Sequence, residues 1–306
     1  MGSVVGAIEG GGTKFVLLEG TGPSDIRRRR VILTTTPAET LAACVAFFRE
    51  THHEQVLAAI GVGMFGPIDV DPQSATYGFI TTTPKAGWSF TDVVGPLRSA
   101  LGVPIGWEHD VTAALLGERR WGAAAGLDPV LFVTVGTGVG AGAYVNGAPL
   151  HGLLHPEMGH LLMPALPGDE FPGACPFHGR CLEGLISGPA IAQRAGKPAA
   201  DLPVDSPIWD MVAEYLAIAL MDYSLVLSPR RIVVGGGVLH QQHLLPRVRS
   251  ALRRRLANYL AHPLLLDRLD DYVTPSALGD DAGALGALEV AWLAAKLPGS
   301  GRFPGD

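Results

Sequence analysis

Three times in this chain a short strand-like run breaks into a cluster of glycines. Residues 4–8 lead into Gly10-Gly11-Gly12, residues 130–135 into the run from Gly136 to Gly142, and residues 231–234 into Gly235-Gly236-Gly237. Glycine after a strand lets backbone N–H groups crowd around an anion with no Cβ in the way. Thr13 and Thr137 add hydroxyl donors, and Lys14 adds a positive charge. One such cluster alone reads as a tight turn. Three in the same context, two with an adjoining Thr, read as loops that hold phosphate. None is a dinucleotide fingerprint, because Gly136-x-Gly138-x-Gly140 runs on into a strand pattern rather than a helix. None is a Walker A loop, since Gly-Lys-Ser/Thr is absent. A nucleotide held between two hairpin turns fits the pattern better.

Around these clusters the chain alternates. Residues 4–8, 15–18 and 31–36 read as strands, the last stopped by Pro37. Residues 39–50 place Leu41, Ala42, Val45 and Phe48 on one helical face. Residues 57–63 form another strand, which enters the turn Phe65-Gly66-Pro67. Residues 77–90 lack a periodic run and read as loop on the functional edge of a sheet. Asp110 opens a helix over 111–121, and the strand at 130–135, a glycine turn and a strand at 143–145 repeat the opening theme. That repetition predicts a duplicated α/β domain, alike in topology rather than in sequence. Residues 208–227 read as a long helix, and Gly279-Asp280-Asp281 caps a final helix running to about Lys296.

A length of 306 residues suits two domains. With 47% hydrophobic residues and 17% charged, the chain can bury a sizeable core and is no disordered segment. The net charge of −6 argues against broad nucleic-acid binding. The arginines from Arg27 to Arg30 read as a solvated strand edge rather than a phosphate site. No window approaches the roughly 18 uninterrupted apolar residues of a spanning helix, and no basic segment precedes the first apolar run, so neither membrane nor signal peptide is expected. Three cysteines, an odd number, point away from a disulfide framework and towards the cytoplasm.

Two features carry chemistry. Asp110, at the junction of a strand and a helix, reads in isolation as an N-cap. Beside phosphate loops it reads as the general base that takes a proton from an attacking hydroxyl. Cys175, His178 and Cys181 offer three metal ligands within seven residues, and His160 is the best fourth. Four protein ligands close a tetrahedral Zn²⁺ site, so the metal expected is structural. Glu157 and Glu183 flank this set and can accept hydrogen bonds from sugar hydroxyls.

With these residues in view, the chain resembles the ROK (repressor, open reading frame, kinase) sugar kinases over nearly its whole length, and within them the bacterial fructokinase branch. Ala7-Ile8-Glu9-Gly10-Gly11-Gly12-Thr13-Lys14-Phe15 looks like the first phosphate loop, and Gly136-Thr137-Gly138-Val139-Gly140 like the second. Thr83-Pro84-Lys85-Ala86-Gly87-Trp88 is similar to the fructokinase-type insert. His155-Pro156-Glu157-Met158-Gly159-His160, with Cys175-Pro176-Phe177-His178 and Cys181-Leu182-Glu183-Gly184, looks like the zinc and sugar signature. The resemblance implies an actin-like, ribonuclease-H-type duplicated α/β fold of two domains with a cleft between them. The expected small domain spans 1–117, completed by a C-terminal helix at about 282–297. The expected large domain spans 118–281 and holds the zinc segment 155–183.

The resemblance further implies ATP and Mg²⁺, a hexose 6-hydroxyl as acceptor with fructose preferred, and a homodimer. It assigns Asp110 as base, and His109, Glu157, His160 and Glu183 as sugar contacts. Gly11, Gly12, Thr13, Lys14, Thr137 and Gly138 fall to the phosphates, and Gly236 and Gly237 lie near the adenosine. His160, Cys175, His178 and Cys181 hold the zinc. His109 stands where many glucokinases of this kind carry Asn, and Thr112 where the fructokinase branch tends to carry Asn. Glucokinase or mannokinase activity, or a catalytically weak sugar sensor, are the alternatives. The related repressors carry a helix-turn-helix ahead of the first strand; with Met1 to Ser3 ahead of Val4, that reading is not expected here.

Overall fold

The structure is a computed structural model that describes residues 3–52 and 57–295. Its contacts divide the chain into two compact units. The first takes the described residues of 1–126, 149–156 and 281–306, and the second takes 127–148 and 157–280.

In the first unit β1 (Val4–Gly10), β2 (Lys14–Gly22) and β3 (Asp25–Leu33) make an antiparallel meander. Helix α1 (Pro37–His52) carries the chain to β4 (Leu57–Met64), which lies parallel to β1. A short hairpin, β5 (Phe79–Ile80) with β6 (Thr91–Asp92), precedes α2 (Val94–Leu101). Then β7 (Ile105–His109) adds parallel to β4 and runs without a loop into α3 (Asp110–Trp121). The sheet order is β3-β2-β1-β4-β7.

The central strands β1 and β4 are apolar almost throughout because both faces of the sheet are covered. On one face the Phe48 ring of α1 sits against Gly6. On the other, the C-terminal helix Ala282–Ala295 lies so close that a Cβ on Gly61 would collide with the Ala287 carbonyl. The same helix crosses α3 through small residues, with Gly286 against the Ala113 carbonyl. Gly286→Val is therefore expected to destabilise the chain by about 3 kcal/mol, the upper end for an overpacked core. A urea melt reads this as a lower midpoint with an unchanged slope.

The second unit repeats the plan. β8 (Val130–Val135) and β9 (Val139–Val145) form a hairpin extended by β10 (Ala148–Pro149). After α4 (Leu182–Ile186), α5 (Gly188–Ala195) and α6 (Pro207–Leu227), β11 (Arg231–Gly235) pairs parallel to β8. Helices α7 (Leu244–Leu256), α8 (Pro263–Leu266) and α9 (Leu269–Tyr272) lead to β12 (Val273–Pro275). The order β10-β9-β8-β11-β12 matches the first sheet position by position: a strand with a hairpin partner on one side and a parallel partner on the other. This is the expected duplication.

Differences from the sequence reading are local. β3 starts at Asp25, not residue 31, so the arginine run lies inside the edge strand. Arg28 is more than solvated edge: it pairs with Glu19 at 3.1 Å, itself 1% exposed, and with Glu50 at 2.6 Å. β9 begins at Val139 instead of 143, because the ladder to β8 holds its glycines in strand conformation. The segment 77–90 contains β5 and a fully buried Trp88, whose indole N–H donates to the Thr35 carbonyl at 2.9 Å. Helix α3 lies whole in the first unit, past the expected boundary at residue 117. Lys296 and Leu297, where the final helix was expected to end, lie outside the described residues. Among the described residues no helix is long and apolar enough to cross a membrane.

Candidate active site

In the first unit the site is built where β1 and β7 end. The turn after β1 is closed by the Gly11 N–H donating to the Lys14 carbonyl at 3.0 Å and by the Thr34 hydroxyl donating to the Gly11 carbonyl at 2.7 Å. That leaves Gly12, Thr13 and Lys14 exposed at the tip. The N-cap of α3 is His109, in extended conformation and without a side-chain cap bond. Asp110 is already inside the helix, and its Oδ1 accepts the Val111 N–H at 2.7 Å. The capping reading of Asp110 is thus corrected, and its carboxylate is left for other work. Burial pushes the Asp110 carboxyl up to about 7. Glu9, at the end of β1, is also pushed to about 7, by burial first and by the negative charge of Asp110 second.

His109 packs behind Asp110 with its Nε2 3.4 Å from Oδ1. Its ring stacks on His155, centroids 4.1 Å apart. Burial pushes His109 down to about 4 and His155 to about 3, so both are neutral near pH 7. The Ile68 N–H donates to His155 Nε2 at 3.0 Å.

In the second unit the two glycine loops lie side by side, the Gly237 nitrogen standing 3.7 Å from where a Cβ on Gly136 would be. The β8–β9 turn is pinned by the Gly136 N–H on the Gly138 carbonyl at 2.8 Å and by the Gly188 N–H on the Gly136 carbonyl at 2.7 Å. Thr137 is exposed at its tip. Gly236 has φ of 93° and lies against the end of β8, a position that a side chain would fill with strain and collision. Glu183, on α4, accepts the Val139 N–H at 3.1 Å and so touches the second glycine loop as well as the sugar-signature segment.

Beside it His160, Cys175, His178 and Cys181 converge, all four ligand atoms lying within 4.8 Å of one another. His160 Nδ1 is 3.7 Å from Cys175 Sγ, 3.5 Å from Cys181 Sγ and 3.3 Å from His178 Nδ1. Ligands at the usual thiolate and imidazole distances from a tetrahedral Zn²⁺ stand roughly 3.3–3.8 Å apart. The donor set therefore fits such an ion in both chemistry and spacing. With Nδ1 turned to this centre, His160 shows its other nitrogen to Glu157, 4.0 Å away. A Cβ on Gly159, the residue before His160, would collide with the Val139 carbonyl, so only glycine lets this turn approach β9. On the far side of the loop Arg180 reaches Tyr215 at 3.1 Å and the buried Asp169 at 3.5 Å, which fastens the cysteine loop to α6.

The first unit thus gathers Gly12, Thr13, Lys14, His109 and Asp110. The second gathers Thr137, Gly138, Gly236, Gly237, Glu157, His160 and Glu183 with the cysteine–histidine set. The resemblance allows Glu9 a role near the Mg²⁺ water shell, and sequence reasoning left out His155 as a site residue. The signal for Glu9 was its place directly before Gly10; for His155 there was none beyond its type.

A chain with two such sheets, each ending its first hairpin in a glycine loop, has the two-domain, actin-like kinase fold. The solved structure of a ROK hexokinase from Thermus thermophilus superposes with a TM-score of 0.77 at 28% identity, covering 96% of this chain and 99% of that one. The model of the ROK family matches residues 5–295. A fructokinase from Pediococcus pentosaceus is 42% identical, over 96% of this chain and 99% of its own. A fructokinase from Streptococcus mutans is 40% identical, over 95% and 98%. The chain belongs to the ROK family.

Proposed function

We propose that this chain transfers the terminal phosphoryl group of ATP to the 6-hydroxyl of a hexose, with D-fructose preferred. What carries the reading is the likeness to two fructokinases along nearly their full lengths. Asp110 takes the proton of the attacking hydroxyl; a base whose pKa lies near the working pH is effective in either direction of transfer. Gly12, Thr13 and Lys14 in one unit, and Thr137 and Gly138 in the other, offer amide, hydroxyl and ammonium donors to phosphate oxygens. Gly236 and Gly237 leave room for the adenosine. Mg²⁺, arriving with the donor phosphates, neutralises their charge when bound. Glu157, Glu183 and the free nitrogen of His160 accept or donate to sugar hydroxyls. Zn²⁺ on His160, Cys175, His178 and Cys181 fixes the direction in which these groups face. Three free cysteines suit a reducing cytoplasm. A homodimer belongs to the same reading, which sedimentation or light scattering checks.

The test is a coupled ADP-release assay with Mg-ATP against fructose, mannose, glucose and N-acetylmannosamine. Fructose is expected to lead in kcat/KM by about tenfold or more, the scale on which one hydroxyl's geometry discriminates. Glucose in the lead would keep the kinase and overturn the choice of hexose. No ADP with any sugar would leave a sensor.

A further inference from the structure

Only one of the two oxygens of Asp110 is committed. Oδ1 accepts the Val111 N–H at 2.7 Å and faces His109 Nε2 at 3.4 Å. Oδ2 has no partner among the described residues. His109 is 7% exposed, and its Nδ1 is buried with no partner among the described residues. Its ring plane is held from two sides. His155 stacks on its face with an interplanar angle of 16°, and a Cβ on Gly66 would come within 3.1 Å of both Cδ2 and Nε2.

A neutral imidazole carries a single N–H. On Nδ1 that proton would be a buried donor without an acceptor, while the bare Nε2 lone pair faced a carboxylate oxygen. On Nε2 it has Oδ1 3.4 Å away as its nearest acceptor, and only an acceptor goes unpaired. Orphaned buried N–H groups are the rarer and costlier omission. His155 cannot serve as a competing acceptor at Nε2, which the Ile68 N–H already occupies.

We infer that His109 is a positioning residue for the base: its Nε2–H anchors Oδ1 of Asp110, so that Oδ2 is the oxygen that takes the hexose proton. The inference rests on Asp110 being the base. In the step it serves, the hydroxyl proton passes to Oδ2, the hydroxyl oxygen forms its bond to the terminal phosphorus, and the bond from that phosphorus to the leaving ADP oxygen breaks with its electron pair. His109 gains and loses nothing.

Glu9 of β1 feels the charge of Asp110 and is itself within the field of Lys14, Arg29 and Asp281. Behind His109 stands His151, paired with Glu108 at 3.1 Å.

The test compares His109→Leu with His109→Gln, whose amide nitrogen reaches about where Nε2 stands. In His109→Leu, kcat is expected to fall about tenfold. The acid limb of kcat/KM is expected to move up by about one pH unit, since a carboxylate that loses a donor is easier to protonate. His109→Gln should restore both kcat and the limb. A raised KM in both variants with an unmoved limb would make His109 a sugar contact and overturn the inference. Equal losses in both with an unmoved limb would make it packing and do the same. Nitrogen-15 shifts of His109 in the intact chain decide the matter even if the leucine variant fails to fold: an Nε2–H tautomer is expected, and an Nδ1–H tautomer overturns the proposal. Near-normal turnover of Asp110→Asn would instead unseat the base itself, whichever tautomer is found.

Discussion

Asp110→Asn is expected to lower kcat by roughly 10³-fold while the Kd for the hexose changes by no more than a few-fold, the range a positioned general base supplies. The isostere is informative here for a structural reason. Asn Oδ1 can still accept the Val111 N–H, so the first turn of α3 keeps the one bond that Asp110 gives it. What is lost is a group that can take a proton. Steady-state kinetics paired with calorimetric sugar binding separates the two, and near-normal turnover would remove Asp110 from the chemistry. The pH dependence has a definite sign. A base must be ionised to act, and burial has pushed both Asp110 and Glu9 up to about 7. kcat/KM is thus expected to rise as pH increases through about 7 and to level off above it. The negative charge of Asp110 adds to the rise at Glu9, so the limb is read as that of two carboxyls titrating in one range.

The second large effect is expected at the cysteine–histidine cluster. The intact chain should bind one zinc, and Cys181→Ser should retain little of it and lose roughly 10–100-fold in kcat/KM. Cys181 is fully buried and caps α4 through the Gly184 N–H at 3.4 Å. Two residues further along that same short helix stands Glu183, tied to Val139 in the second glycine loop. A metal on Cys181 would therefore fix both the Glu183 carboxylate and the start of β9. Without a cation, burial holds the Cys181 thiol up to about 11, so metal uptake must release a proton and weaken as pH falls. Metal content by elemental analysis, followed by chelation and a thermal melt, checks this. A metal-free chain with unchanged melting temperature and activity would defeat the structural role.

Most of the architecture could be read from residue order, because glycine and apolar periodicity report backbone geometry directly. The clusters at 10–12 and 136–142 mark hairpins, and the paired strands around them gave away the duplication. Helices α5 and α7 went unread although their signals are present: Leu244, Val248, Leu252 and Leu256 recur at helical spacing in α7, and Pro189 stands in the first turn of α5 behind the Ser187 cap. The start of β3 was hidden for a different reason. Arg27 to Arg30 look like solvent-facing residues, yet Arg28 reaches across the strand pair to the buried Glu19, and its guanidinium lies 4.5 Å from the Phe47 ring centroid.

At the site, the convergence of His160, Cys175, His178 and Cys181 was legible because Cys and His at short spacing have few other uses. The stack of His109 on His155 was not legible, since 45 intervening residues and the close approach of Gly66 create it. Nor could the sequence tell that Asp110 lies one place too far into α3 to be its cap.

The helix Ala282–Ala295 covers one face of the first sheet and crosses α3, although its residues are made after the whole of the second unit. A ribosome that has finished β1, β2, β3, β4 and β7 has therefore produced a sheet with one greasy side bare. It must extend the chain through the whole of the second unit before the cover exists. During synthesis the second unit, all of it made before residue 281, can close its core earlier than the first, so the N-terminal part of the polypeptide is the later part to mature. Nascent chains stalled short of residue 282 should accordingly recruit chaperones to β1 and β4, and a premature stop there would yield an aggregating product rather than a smaller working one.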